Sequence, residues 1–138
     1  MKTSVVIDGD KDFLSFVERH LILWGYKVFS FTDVEQFLSS LKSNPQLVIL
    51  GDNLGGQQNN LDYVRMTRKT LPKSTIIHIA KANGENQGVS AMIAGASEFI
   101  EKDNATFVRM RTCLDTIEEK NTKGVGSFLS DIKKAFIG

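Results

Sequence analysis

Five short apolar runs separated by amphipathic stretches constrain this chain more than any other feature. The runs are Val5-Val6-Ile7, Val28-Phe29, Leu47-Val48-Ile49-Leu50, Ile76-Ile77-His78-Ile79 and Phe99-Ile100. The third and fourth are continuous rather than alternating, as expected for strands of a parallel sheet covered on both faces. Between the first two, Phe13, Leu14, Val17, Leu21 and Trp24 recur at spacings of three and four, and Gly25 follows as a C-terminal cap. Thr32-Asp33-Val34-Glu35 has the form of a capping box leading into a second helix with Val34, Phe37, Leu38 and Leu41 on one stripe. A weaker third helix carries Leu61, Val64, Arg68 and Leu71 and stops at Pro72, and a short fourth carries Val89, Met92, Ile93 and Ala96, with Gly95 near its end. The fifth, capped by Asp103 or Asn104, keeps Phe107, Met110, Leu114 and Ile117 in helical register. Strand and helix thus alternate five times, which calls for right-handed crossovers and an open, doubly wound parallel sheet with helices on both faces. A binding site in such a sheet lies at the carboxyl ends of the strands.

With 138 residues, 41% apolar and 24% charged, and a net charge of +1, the chain fits one soluble domain and implies neither nucleic acid nor a membrane as partner. The single cysteine, Cys113, excludes an intramolecular disulfide and a cysteine-based zinc set, which suits the cytoplasm. Only Val5, Val6 and Ile7 precede Asp8 as a strongly apolar run, too few for a signal peptide or a membrane span. Gly51 to Asn60 and Asn121 to Gly126 read as loops. The expected organisation is a domain over residues 1–121, a hinge over 122–126 and a short amphipathic helix over 127–138, in which Phe128, Leu129, Ile132 and Phe136 share a side.

The strand ends read Asp8-Gly9-Asp10, Gly51-Asp52-Asn53, Ala80-Lys81-Ala82 and Glu101-Lys102-Asp103. Together with Val6-Ile7-Asp8-Gly9-Asp10-Lys11-Asp12-Phe13-Leu14, Trp24-Gly25-Tyr26, Pro45-Gln46-Leu47-Val48-Ile49-Leu50, Ala94-Gly95-Ala96 and Phe99-Ile100-Glu101-Lys102, they resemble the receiver domains of bacterial two-component response regulators. The resemblance implies a flavodoxin-like fold of five parallel strands in the order 2-1-3-4-5. It also implies an acidic pair after the first strand, a phosphate-accepting Asp ending the third, a Thr or Ser ending the fourth and a Lys in the fifth. Clustered carboxylates there hold a magnesium ion, the hydroxyl and ammonium meet the phosphoryl oxygens, and the acceptor carboxylate is the nucleophile.

Matched position by position, Asp8 fills the first acidic place and Lys102 keeps the lysine, but Gly9 stands for the second carboxylate, Gly51 for the acceptor and Ala80 for the hydroxyl. Asn53 falls where the family supplies a backbone carbonyl to the metal. The expectation is a receiver with a dismantled phosphorylation pocket, no cofactor, and no enzymatic activity, acting by contact with a histidine kinase, an effector or a second copy of itself. An ion pair between Lys102 and Asp8 is the simplest repair of the emptied pocket. The resemblance further implies a contact face from the fourth helix, fifth strand and fifth helix, with Met92, Phe99, Lys102, Phe107 and Arg111.

Two alternatives compete. A one-residue slip would make Asp52 the acceptor, with Asp8 or Asp10 and magnesium, although it would reverse the faces of the third strand; a solvated loop aspartate is the plainer expectation for Asp52. A flavin or nucleotide phosphate would suit the same sheet, but Asp8, Asp10 and Asp12 would repel it. His20 and His78 read as satisfied surface or core histidines, Cys113 as a packed or idle thiol, and the small basic groups Arg65, Arg68, Lys69 and Arg109, Arg111 as solvated faces.

Overall fold

A computed structural model of the chain describes residues 2–39, 44–84 and 86–119. The strands are β1 (Lys2–Ile7), β2 (Tyr26–Phe31), β3 (Leu47–Leu50), β4 (Thr75–Ala80) and β5 (Glu98–Glu101). They alternate with helices α1 (Lys11–Leu23), α2 (Val34–Ser39), α3 (Asn60–Thr70), α4 (Gln87–Ala94) and α5 (residues 106–119). All strand pairs are parallel and the order is β2-β1-β3-β4-β5, as the resemblance implies. Leu41, the hinge over 122–126 and the C-terminal segment with Phe128, Leu129, Ile132 and Phe136 lie outside the described residues.

The two apolar strands read as doubly covered are buried throughout their apolar positions: Val48, Ile49, Leu50, Ile76, Ile77 and Ile79 are all fully enclosed. Each such side chain contributes about 1.5–3 kcal/mol relative to an exposed one. Val5, Ile7, Val48, Leu50 and Ile76 join one cluster with Val34 and Phe37 of α2, Tyr63 and Val64 of α3, and Ala91 and Ala94 of α4. Strand alternation sends Val6, Ile49 and Ile77 to the other face, where α1 buries Leu14, Val17 and Leu21. From Phe107 onward the chain belongs to a second compact unit, in which Met110 and Leu114 are buried and Phe107 and Ile117 half-buried. No helix among the described residues is long and apolar enough to cross a membrane.

The helix ends follow their sequence signals with one correction. Asp10 caps α1 by accepting from the N–H groups of Asp12 and Phe13, and Gly25, at φ +91°, takes the left-handed turn just beyond the Trp24 cap. At α2 the cap is Asp33, whose Oδ1 accepts from Glu35 and Gln36 N–H, and not Thr32. Asp103 holds the start of the fifth helix through the Ala105 N–H.

Helix α4 overturns the expected stripe. Val89, Met92 and Ile93 are exposed, and the buried side is Ala91 and Ala94, with Ala96 buried just past the helix end. Helical spacing fits both stripes, and α4 packs against α3 and β5 through its smallest residues, which let the backbones approach closely. In α3 the buried side is Tyr63, Val64 and Thr67, with Arg68 at its edge.

Candidate functional site

The register of the sheet builds a pocket at the carboxyl ends of the strands. Ile7 pairs with Leu50, so Asp8 and Gly51, the residues that follow, are neighbours across β1 and β3; Ala80 pairs with Glu101, which brings Lys102 alongside. Between β1 and β3 the chain departs to opposite sides of the sheet, leaving the crevice where ligands of such sheets bind.

Asp8 is fully buried. Its Oδ2 accepts from Lys102 Nζ at 3.0 Å and its Oδ1 from the Asp10 N–H at 2.8 Å, so the expected pair between Lys102 and Asp8 is formed. Lys102 Nζ also donates to Asp52 Oδ1 at 2.8 Å, while Asp52 Oδ2 accepts from the Lys81 N–H at 2.8 Å. The solvated Asp52 of the sequence reading is therefore corrected: its side chain is only 16% exposed and turned toward the lysine. Phe13, from the first turn of α1, places its ring 4.1 Å from the same ammonium, a cation–π contact that the sequence reading missed. Phe13 appeared there only as part of a helical stripe, and no local signal ties it to Lys102.

Burial pulls the Lys102 ammonium toward the neutral form, but the hydrogen bonds and charges of Asp52 and Asp8 outweigh it and hold its pKa above the usual lysine value. Burial also raises Asp52, yet Lys102 and the Lys81 N–H reverse the direction and keep that carboxyl below its usual range. One cation between two carboxylates leaves a net negative cluster whose members are nearly closed to water.

Gly51 is buried and has no room to be anything else in this arrangement. A Cβ there would overlap Asp8 Oδ2 and lie 2.6 Å from Asp8 Cγ. Asp8 thus fills the space that a side chain at position 51 would use. Gly9 donates its N–H to Asn53 O at 2.7 Å, engaging the carbonyl that the family aims at the metal. Ala80 is buried at the end of β4 and accepts only through its backbone, from the Lys102 N–H at 2.8 Å.

A magnesium ion needs oxygen donors free to face it. Here all four carboxylate oxygens of Asp8 and Asp52 are engaged by N–H donors, and Asp10, the third acid of the alternative set, turns its carboxylate to the α1 cap. Each of these oxygens would meet the ion alongside an N–H already held, and among the described residues no group of three or more His, Cys, Asp or Glu that could hold a metal ion is found.

The remaining singled-out residues fall outside this pocket. His78 is buried, with Nδ1 2.9 Å from Leu50 O and its ring against Phe99. His20 contacts Phe16 O and lies between the Phe16 and Trp24 rings. Cys113 is half-buried. Arg65 pairs with Asp62 on the surface, but Arg68 is no solvated charge: it donates to Gly95 O, Leu71 O, Pro72 O, Ser74 O and Ser97 Oγ, tying the end of α3 to the turn after α4. Of the residues expected on a contact face, Met92 and Arg111 are exposed, Phe107 is half-buried, Phe99 packs on the core and Lys102 has its ammonium in the pocket.

A family model for the response regulator receiver domain matches residues 5–113. The chain belongs to the receiver domains of two-component signalling, which are signalling modules. Solved structures agree on the fold. A CheY-like receiver domain protein from Methanospirillum hungatei JF-1 superposes with a TM-score of 0.76 at 17% identity, over 89% of this chain and 98% of that one. The BeF3-activated receiver domain of DrrB gives 0.74 at 23% identity, over 86% and 98%. NtrX from Brucella abortus gives 0.71 at 25% identity, over 96% of this chain and 30% of its own length. No protein of curated function matches the sequence.

Proposed function

We propose that this receiver domain is a protein-interaction module whose state is set without phosphorylation at the usual position, and that it is not an enzyme. The observation that carries this reading is the occupied acceptor place: the Asp8 carboxylate fills the space beside Gly51 and is already paired with Lys102. Ala80 adds to it, since no hydroxyl is present there to follow an incoming phosphoryl group. The module resides in the cytoplasm and works without a metal or organic cofactor, with neither nucleic acid nor membrane as its partner. Its partner is a protein: a histidine kinase, an effector or a second copy. The exposed apolar side of α4, with Val89, Met92 and Ile93 at 58%, 44% and 79% exposure, supports contact with another protein over an isolated existence. A receiver solved as a dimer, that of beryllofluoride-activated NtrC4, shares the fold at a TM-score of 0.74.

The 2.8 Å contact of Asp52 with Lys102 favours a second reading, in which Asp52 accepts the phosphoryl group from one residue beyond the usual place. A carboxylate oxygen of Asp52, after giving up the N–H of Lys81 or the ammonium of Lys102, would then bond to the phosphorus of a phosphodonor such as acetyl phosphate as its P–O bond breaks and acetate leaves. Intact-protein mass spectrometry after incubation with acetyl phosphate and magnesium separates the two. The expected mass is unchanged. A gain of about 80 Da that disappears in Asp52→Asn establishes the second reading in place of the first.

A further inference from the structure

On the sheet face that carries α3 and α4, a cleft of about 350 Å³ opens between the amino-terminal ends of those two helices. Its polar lining is Asn59, Asn60, Asn83, Gln87 and Ser90, with Leu61 and Ala80 as apolar wall and His78 of β4 among its liners. Among the described residues of this lining, no side chain carries a fixed charge.

His78 makes the cleft more than a surface depression. The residue is 3% exposed, and its Nδ1 lies 2.9 Å from Leu50 O. A carbonyl oxygen only accepts, so in the neutral ring Nδ1 carries the proton and Nε2 is a bare acceptor. Nε2 has no hydrogen-bond partner among the described residues. No fully enclosed side-chain nitrogen or oxygen among them lacks a partner, so Nε2 reaches open space, and the cleft that His78 lines provides it. An acceptor at the bottom of a half-enclosed site is satisfied by a donor from whatever fills that site.

The rest of the lining narrows what the occupant is. Asn59 Oδ1 is engaged by the Asp62 N–H and Asn60 Nδ2 by Asp52 O, which leaves the Asn59 amide as donor and Asn60 Oδ1 as acceptor. Among the described lining residues an anion finds no cation and a cation no carboxylate, whereas a paired donor and acceptor edge matches the side-chain amides. The volume lies at the lower end of small-molecule sites. We propose that this cleft binds an uncharged small molecule with an amide-type edge, of the nucleobase or lactam class, which donates N–H to His78 Nε2 and pairs with the asparagine amides. The site adjoins the Asp8, Asp52 and Lys102 cluster through Ala80 and through Asn60, which donates to Asp52 O, but the proposal does not depend on whether Asp52 accepts phosphate.

The test is a titration of the full 15N-labelled chain with adenine, hypoxanthine, uracil and 2-pyrrolidone, each to about 5 mM, with adenosine monophosphate as the charged comparator. Long-range proton–nitrogen spectra follow His78 Nε2 directly. At least one neutral probe is expected to shift Nε2 and the amides of residues 59–61 and 83–90 saturably, with a Kd below about 1 mM. Ser90→Phe, which fills the cleft from α4, is expected to weaken that binding at least about tenfold with unchanged circular dichroism, and His78→Phe, which keeps a ring against Phe99, to abolish it. Absence of a saturable shift with every neutral probe overturns the proposal. So do shifts that persist in both variants, shifts confined to other residues, or tighter binding of the monophosphate than of adenine.

Discussion

Removing the Lys102 ammonium while keeping its bulk, as Lys102→Met, leaves two carboxylates facing each other across the space it vacates. Asp8 is fully buried and retains only the Asp10 N–H, while Asp52, 16% exposed, retains only the Lys81 N–H. Breaking a buried pair by removing one partner costs about 3–5 kcal/mol, because the other charge stays desolvated. The share from Asp52 is discounted for its contact with water, which places the expected loss near the lower bound, about 3 kcal/mol at pH 7. Urea denaturation followed by circular dichroism measures it as a fall in midpoint at constant slope. The pH dependence gives a second check. Asp52 is held below its ordinary pKa by Lys102, so the pair's contribution is complete above pH 3.8 and disappears as pH falls through the lower folded value. Without the lysine, burial, the largest influence on that carboxyl, is opposed only by backbone hydrogen bonds such as that from the Lys81 N–H, so its pKa rises and protonation relieves the variant first. The gap between the two proteins therefore narrows from pH 7 toward pH 4. A loss under about 1 kcal/mol at pH 7, or a gap that stays constant down to pH 4, would show that the cluster is solvated and that the pocket's closure has been overestimated.

Gly51→Ala drives a methyl group into Asp8 and should cost about 1–3 kcal/mol, whereas adding it to Asp8→Ala should cost far less; additive losses in a double-mutant cycle would refute the packing. Arg68→Ala should destabilise by about 2–4 kcal/mol in thermal or urea unfolding, because its guanidinium serves five acceptors, and Arg68→Lys should recover less than half, since an ammonium cannot fork among them. Burial holds His78 below its ordinary pKa of 6.5, against the opposing pull of Leu50 O and Asp52. The unfolded chain then binds a proton that the fold refuses, so stability should fall as pH drops below 6.5, by at most about 1.4 kcal/mol per unit, and His78→Gln should remove that slope; equal slopes in both proteins would contradict it.

Much of the molecule was legible one residue at a time. The unbroken apolar run Leu47–Leu50 and the 3.6-residue spacing from Leu14 to Leu21 are local patterns, and burial of both follows from the chain's own order. So does the absence of a carboxylate or hydroxyl side chain at Gly9, Gly51 and Ala80, which holds in every fold. The tertiary structure decided what fills the gaps. Lys102 and Asp8 are 94 residues apart, and only the pairing of β1 with β3 and of β4 with β5 brings them to 3.0 Å. Whether Asp52 faces water or that lysine rests on the path of a loop that has no periodicity to read. Arg68 became a clamp because five acceptors happen to converge on it, and α4 turned its alanines inward because helix spacing allows two stripes and close packing admits only the smaller. Local periodicity is written in neighbouring residues, whereas the partner of a charge is chosen by contacts that exist only once the chain has closed on itself.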